Sequence, residues 1–119
     1  MNPKSVLVIE DDPAIRETLR VMLEMENYPV LHAANGREAL DVLSQKTLPG
    51  IILVDLMMPV MNGWEFIEAL EKNKQFAGIP VFVVTAFSEN MGNLPQVQGV
   101  IKKPIDIDSL LERVKQYCG

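Results

Sequence analysis

The sequence predicts an α/β fold in which a doubly wound, five-stranded parallel sheet is covered by helices on both faces. Two observations carry this prediction. Short apolar runs rich in β-branched residues recur along the chain, and between them apolar residues recur at three- and four-residue spacing. Such alternation favours right-handed βαβ crossovers, which place helices on both sides of one sheet. The 119 residues suit one domain, so residues 1–119 are treated as a single unit.

Five apolar runs have the length of strands. The first, third and fourth are continuous, which is typical of strands buried on both faces of a parallel sheet. In chain order, the predicted strands are Val6–Ile9, Val30–Ala33, Ile51–Val54, Val81–Val84 and Val100–Ile101.

The helical segments begin at residue types that cap helices or form turns. The signals are Asp12 before Pro13, Asn35-Gly36, Asn62-Gly63, and Asp106 with Asp108. Proline suits the first turn of a helix, and Lys115 near the end of the last segment suits the helix dipole. The fourth helix, expected between the fourth and fifth strands, should be shortened or irregular, because residues 88–98 contain a glycine and a proline. The sequence does not decide whether this segment is helical or mobile.

Composition excludes several classes of protein. A net charge of −5 argues against direct nucleic-acid binding. The single cysteine, Cys118, cannot form an internal disulfide, which excludes a disulfide-stapled secreted fold. No apolar run approaches the ~20 residues of a membrane span, and the first residues do not resemble a signal peptide. We therefore expect a cytoplasmic protein without a membrane partner.

Charged and hydroxyl side chains stand where the predicted strands end. Glu10 and Asp11 follow the first strand, Asp55 the third, Thr85 the fourth and Lys103 the fifth. Singly, each has an ordinary structural explanation as a helix cap, a turn former or a solvated lysine. Together they point to a site, because ligands of such folds bind outside the carboxyl ends of the strands.

Electrostatics indicates what this site would hold. Two carboxylates ~4 Å apart repel each other by roughly 4 kcal/mol at an effective dielectric constant near 20. A hard divalent ion such as Mg²⁺, which prefers oxygen ligands, relieves this repulsion. Asp55 then serves as a carboxylate nucleophile for phosphorus, while Lys103 and Thr85 contact the phosphoryl oxygens.

At this point the chain resembles the receiver domain of two-component response regulators. The resemblance covers essentially the whole chain and is carried by residues 6–12 (VLVIEDD), 52–63 (ILVDLMMPVMNG), 83–86 (VVTA) and Lys103-Pro104. It implies a flavodoxin-like receiver with strand order 2-1-3-4-5, as in chemotaxis regulators. Both a stand-alone receiver and a domain excised from a longer protein are compatible with it.

The resemblance also assigns roles to individual residues. Asp55 is the phosphoacceptor, and Thr85 and Lys103 sense the phosphoryl group. Mg²⁺ would be bound by Asp11, by Asp55, by the backbone carbonyl of Met57 and, through water, by Glu10. Pro59 and Gly63 would shape the loop after Asp55, glycine because it adopts backbone angles that other residues avoid. The implied phosphodonor is a phosphohistidine on a sensor histidine kinase or histidine phosphotransfer domain, and output passes to a downstream protein.

Two departures from the family pattern bear on output. Val100 occupies the position of the usual aromatic switch residue, and Phe82 and Phe87 are the candidates to substitute for it. The segment between Thr85 and Lys103 is about one helical turn short, roughly four residues. Both departures favour an alternative, a receiver-fold binding module that no longer switches on phosphorylation.

An enzyme is the weakest alternative. Phosphatases with an aspartate nucleophile usually carry a second aspartate two residues later, and here that position is Met57. We expect a domain that assists its own phosphorylation and dephosphorylation without acting on a separate substrate. Trp64, just past the loop after Asp55, is expected to pack in the core and to report metal binding by its fluorescence.

Overall fold

The computed structural model describes residues 4–45, 48–58, 60–86 and 96–119. These residues form one sheet with helices on both of its faces. The elements are β1 (Val6–Ile9), α1 (Pro13–Met25), β2 (Val30–Ala33), α2 (Gly36–Gln45), β3 (Ile51–Asp55), α3 (Gly63–Glu71), β4 (Val81–Thr85), β5 (Val97–Lys102) and α4 (Ile107–Cys118).

All five strands are parallel, and their order is β2-β1-β3-β4-β5. The predicted fold is therefore confirmed. At the carboxyl edge, Ile9 lies opposite Val54, and Asp55 lies opposite Val84. Thr85 in turn lies opposite Lys102. This register brings the ends of β1, β3, β4 and β5 to one edge of the sheet.

The core has one layer on each face of the sheet, and alternate residues of the central strands point into each. Helices α2 and α3 cover the face that contains Leu7, Ile9, Ile52 and Val54. Helices α1 and α4 cover the opposite face, which contains Val6, Val8, Ile51 and Leu53. The continuous apolar runs of β1 and β3 are thus explained, since both faces of these strands are buried.

The four described helices begin where the sequence predicts, and α2 begins at Gly36, with Asn35 Oδ1 accepting from the backbone N–H of Glu38 at 2.9 Å. Asp12 caps α1 by accepting from the backbone N–H groups of Ala14 and Ile15, and Pro13 occupies the first turn. Asn62 caps α3 in a reciprocal capping box with Glu65. Asp106 caps α4. These caps satisfy amide groups that have no partner within their own helix.

Strand β5 is longer than predicted. It covers Val97–Lys102 rather than Val100–Ile101, and its residues alternate between half-buried and exposed. An edge strand with one solvated face lacks the continuous apolar run that marks β1 or β3. The expected fourth helix falls on residues 88–98, of which 88–95 lie outside the described residues, whereas Val97 and Gln98 belong to β5. The C-terminal helix α4 is a different element.

Within the described parts of the chain, no helix has both the length and the apolar character needed to cross a membrane.

Candidate functional site at the carboxyl edge of the sheet

Three carboxylates meet where β1 and β3 end. Glu10 and Asp11 follow β1, and Asp55 is the last residue of β3. One oxygen from each lies within 4.8 Å of the others. Glu10 is only 3% exposed and Asp55 6%, whereas Asp11 is open to solvent. The structure therefore brings together the acidic residues that the sequence predicts.

Lys103 places a positive charge between the two buried carboxylates. Its Nζ donates to Glu10 Oε1 at 3.1 Å and to Asp55 Oδ2 at 3.2 Å. The sequence predicts contact between Lys103 and a phosphoryl group, but it does not predict this shared pairing. One ammonium group compensates two buried acids, and Asp11 adds a third carboxylate nearby, so the cluster retains an excess of negative charge.

The pKa of Glu10 reports this imbalance. Burial raises it most, and the hydrogen bond with Asp55 raises it further, while Lys103 acts in the opposite direction; the result is a pKa of about 7. Burial lowers the pKa of Lys103, but its hydrogen bonds with Glu10 and Asp55 outweigh this, so that its pKa is raised. A metal ion at the cluster would favour the ionised form of Glu10.

Backbone and side-chain donors hold the two buried acids in place. The N–H of Met57 donates to Asp55 Oδ1 at 3.1 Å, and the N–H of Asp12 donates to Glu10 Oε2 at 3.4 Å. Arg16 of α1 donates from Nη1 to the backbone carbonyl of Glu10 at 2.9 Å. The role of Arg16 is missed by the sequence analysis, because nothing in its helical spacing indicates contact with the preceding loop.

Thr85 lies at the same edge and is buried. Its backbone carbonyl accepts from the N–H of Lys103 at 2.9 Å, which ties the end of β4 to the start of the connection after β5. A backbone hydrogen bond therefore joins the predicted pair, Thr85 and Lys103. Whether the Thr85 hydroxyl contacts a phosphoryl oxygen stays a prediction.

In the loop after Asp55, Gly63 has a different role from the one that the sequence predicts. Gly63 is needed for close approach and not for an unusual backbone angle: a Cβ there would lie 2.8 Å from the carbonyl oxygen of Asp55 and 2.8 Å from the Cα of Leu56. The left-handed backbone conformation in this loop falls on Val60, whose φ is 67°. Pro59 lies outside the described residues. Met57 is 65% exposed, and a metal-binding role for its carbonyl stays a prediction.

The aromatic residues named from the sequence have structural roles. Trp64 is half-buried and packs against the α2–α3 face of the core, which confirms the expected packing. Phe82 is buried, and its ring meets that of Tyr117 edge to face, with centroids 5.6 Å apart. Phe87 lies outside the described residues. Val100 is 40% exposed on β5, and the absence of an aromatic switch coupled to Thr85 stays a prediction.

Fold and site together define a class of protein: a flavodoxin-like receiver domain with an acidic cluster at the carboxyl edge of its sheet. The family model for the response regulator receiver domain matches residues 6–115. The chain belongs to this family, whose members act in two-component signalling.

Curated relatives and solved structures agree. The polar-differentiation response regulator DivK of Brucella anthropi is 33% identical, and the match covers 98% of each chain. The signal receiver domain of a histidine kinase from Syntrophus aciditrophicus superposes with a TM-score of 0.85 and 32% identity, covering 96% of this chain and 89% of that one. The chemotaxis response regulator CheY4 of Vibrio cholerae gives a TM-score of 0.83 and 29% identity, covering 96% and 98%.

Proposed function

We propose that this domain accepts a phosphoryl group on Asp55 from a phosphohistidine of a sensor histidine kinase or histidine phosphotransfer domain. The observation that supports it is the position of Asp55, buried at the carboxyl edge of the sheet with Lys103 on one oxygen and two further carboxylates beside it. A nucleophile, a counter-charge and a set of oxygen ligands thus lie within one small cluster.

The donor set fits Mg²⁺. Glu10, Asp11 and Asp55 supply oxygens within 4.8 Å of one another, and hard divalent ions prefer such ligands. These side chains, with Glu10 acting through water and with the backbone carbonyl of Met57, are the residues that would hold the ion. When bound, Mg²⁺ neutralises charge on the phosphoryl oxygens.

In the proposed transfer, a carboxylate oxygen of Asp55 forms a bond to phosphorus while the phosphorus–nitrogen bond of the phosphohistidine breaks. The electron pair of that bond stays on the imidazole nitrogen, which then takes a proton. Lys103 Nζ, now 3.2 Å from Asp55 Oδ2, moves onto a phosphoryl oxygen. The hydroxyl of Thr85 donates to another. Positioned charge of this kind is the main way a protein assists phosphoryl transfer.

An apolar groove of about 780 Å³ favours a protein as the phosphodonor. It runs between α1 and the connection from β5 to α4, is lined by Ile15, Met22 and Ile105, and reaches Lys103. A partner packed there would lie directly beside the acidic cluster. The groove thus suits docking of the domain that carries the phosphohistidine.

The proposed output is a change in protein contacts. An aspartyl phosphate brings about −1.5 to −2 of charge, which draws Lys103 and Thr85 toward it and biases the surface around β4 and β5. We assign the domain to the cytoplasm, with a downstream protein target and without direct contact to nucleic acid or membrane. It assists its own phosphorylation and dephosphorylation and is not an enzyme for a separate substrate.

Radiolabelled acetyl phosphate tests the proposal. With Mg²⁺ present, the chain should incorporate label that is released by hydroxylamine, as expected of an acyl phosphate. Asp55→Asn should abolish incorporation, while Asp41→Asn, an exposed position on α2, should leave it unchanged. Incorporation by Asp55→Asn at the wild-type level would reject Asp55 as the acceptor.

Val100 favours the second candidate, a binding module that does not switch, because this exposed position carries no aromatic ring. A Mg²⁺ titration followed by Trp64 fluorescence separates the two candidates. A saturable change at millimolar Mg²⁺ supports the phosphoacceptor, and the absence of any change supports the inert module.

A further inference from the structure

Arg16, near the start of α1, reaches back to the loop that carries two acids of the cluster. Its Nη1 donates to the backbone carbonyl of Glu10 at 2.9 Å. The residue is half-buried, and a charge-assisted hydrogen bond in such surroundings is stronger than one between neutral groups at the surface. The contact therefore restrains the position of the Glu10 carbonyl.

The Glu10 carbonyl controls where the next residue lies. It shares one planar peptide unit with the N–H of Asp11, so a fixed carbonyl also fixes the position of the Asp11 Cα. On the other side of the residue, the N–H of Glu10 donates to the carbonyl of Ala33 at 3.1 Å. The backbone that leads into Asp11 is thus held by β2 at one point and by Arg16 at the next.

Asp11 depends on its backbone more than the other two acids do. Glu10 and Asp55 are buried and share Lys103. The Asp11 side chain is exposed, so packing restricts it least, although one of its oxygens lies within 4.8 Å of oxygens of both other acids. Like charges at such distances repel each other. A loop without restraint would therefore let Asp11 move away from the cluster.

Helix α1 provides a rigid base for this restraint. The Asp12 side chain accepts from the N–H of Ala14 at 2.9 Å, and the Asp12 carbonyl accepts from the N–H of Arg16 at 2.9 Å. The loop is therefore joined to α1 at Asp12 through the helix backbone and at Glu10 through the Arg16 side chain. Asp11 lies between these two fixed points.

We propose that Arg16 is a positioning residue for Mg²⁺: its hydrogen bond to the Glu10 carbonyl holds the Asp11 carboxylate where the ion binds. This inference rests on the proposed function, which assigns Asp11 to the metal. Groups that orient metal ligands affect metal affinity strongly. The positive charge of Arg16 acts in the other direction, because it repels a cation. Loss of the side chain therefore weakens Mg²⁺ binding if orientation dominates and tightens it if charge dominates.

The test titrates Mg²⁺ into the whole isotope-labelled chain at constant ionic strength and follows the backbone amide NMR signals of Asp11 and Asp55. Arg16→Met removes the hydrogen bond but introduces a good helix former, and it should weaken Mg²⁺ binding about tenfold. Arg16→Lys keeps the charge and a donor, so it should bind Mg²⁺ more tightly than Arg16→Met. Charge repulsion alone predicts the opposite order of these two variants.

Arg20→Met is the matched control. It removes the same charge one turn further along α1, where the guanidinium pairs with Glu17 and Glu24 instead of with the loop. This variant should bind Mg²⁺ at least as tightly as wild type. A loss of affinity as large as that of Arg16→Met would overturn the proposal, because the loop contact would then not be its cause.

The outcomes distinguish failure of this proposal from failure of the proposed function. If wild type binds Mg²⁺ and Arg16→Met binds it equally well or better, Arg16 does not position the site, whereas the phosphoacceptor role of Asp55 is unaffected. A lower free energy of unfolding of Arg16→Met in urea, with unchanged Mg²⁺ affinity, would show a purely structural role and would also reject the proposal. If wild type itself gives no saturable shift, the proposed metal site and this inference both fail.

Discussion

Strand β3 contains two neighbouring regions in which burial has opposite consequences. Its first four residues, Ile51 to Val54, are at most 1% exposed and pack against helices on both faces of the sheet. The next residue, Asp55, is nearly as buried but carries a carboxylate. In the first region, burial removes apolar surface from water and stabilises the fold. In the second, burial opposes the charge that the site requires.

The difference shows how the fold accommodates the acidic cluster. Glu10 and Asp55 are buried together and share Lys103. Such a group stabilises a protein less than apolar side chains of similar volume would, but removing one partner leaves charge uncompensated. We infer that the interior of β3 contributes stability, whereas the carboxyl edge retains charge for its chemistry.

The largest expected effect compares two positions in the same strand. Leu53→Ala should lower the free energy of unfolding by about 3 kcal/mol, because it leaves a cavity on the α1–α4 face of the core. Asp55→Asn keeps an oxygen for the Met57 N–H and relieves repulsion with Glu10, so it should change stability by less than about 1 kcal/mol. Urea unfolding measures both. Equal destabilisation by the two substitutions would mean that Asp55 is a structural residue like Leu53.

The next effect concerns the cation of the cluster. Lys103→Met leaves Glu10 and Asp55 without their counter-charge and should lower the free energy of unfolding by roughly 2 kcal/mol. Lys102→Met, at the exposed neighbouring position, should change it by less than about 0.5 kcal/mol. Added Mg²⁺ should restore part of the loss only in Lys103→Met. A similar loss in both variants would show that the shared pairing of Lys103 contributes nothing.

The same contrast explains what the sequence could predict. The apolar runs of β1, β3 and β4 marked buried strands, and parallel topology then required that Glu10, Asp55 and Thr85 meet at one edge. Which side chains touch within that edge depends on distances that only the folded backbone sets. The shared pairing of Lys103 and the contact of Arg16 with the carbonyl of Glu10 are of this kind.

Two other features could not be read from sequence patterns. Strand β5 lies at the edge of the sheet, where alternating exposure weakens the apolar signal. The sequence predicts that Gly63 relieves an unusual backbone angle, but its role is to let α3 begin against the carbonyl of Asp55. A glycine in a loop is compatible with an unusual backbone angle and with the close approach of other atoms, and only the structure distinguishes the two.

Gly63 gives an effect of similar size to that of Lys103, and it links the two regions. Gly63→Ala would place a Cβ against backbone atoms of Asp55 and Leu56, so the loop must shift, at a cost of about 2 kcal/mol. Gly78→Ala is the control, since nothing lies within 4 Å of its added Cβ, and it should be neutral within about 0.5 kcal/mol. Thermal unfolding of both variants measures this. Two equally tolerated substitutions would contradict the close approach.

The smallest expected effect is the pH dependence that Glu10 adds to stability in the absence of Mg²⁺. Its pKa rises from 4.5 to about 7 on folding, first through burial and then through the hydrogen bond with Asp55. Between pH 4.5 and about 7, Glu10 therefore holds a proton in the folded chain that it has released in the unfolded chain. The stabilising contribution is complete below pH 4.5 and is lost as pH rises through about 7.

Urea unfolding at two pH values, roughly 5.5 and 7.5, tests this sign. Wild type should lose on the order of 1 kcal/mol more than Glu10→Gln between them, because glutamine cannot take up the proton. Glu112→Gln, exposed on α4, should behave as wild type. The interior of β3 contains no titratable group. If the free energy of unfolding of Glu10→Gln still depends on pH as in wild type, the dependence does not come from Glu10, which would contradict the prediction.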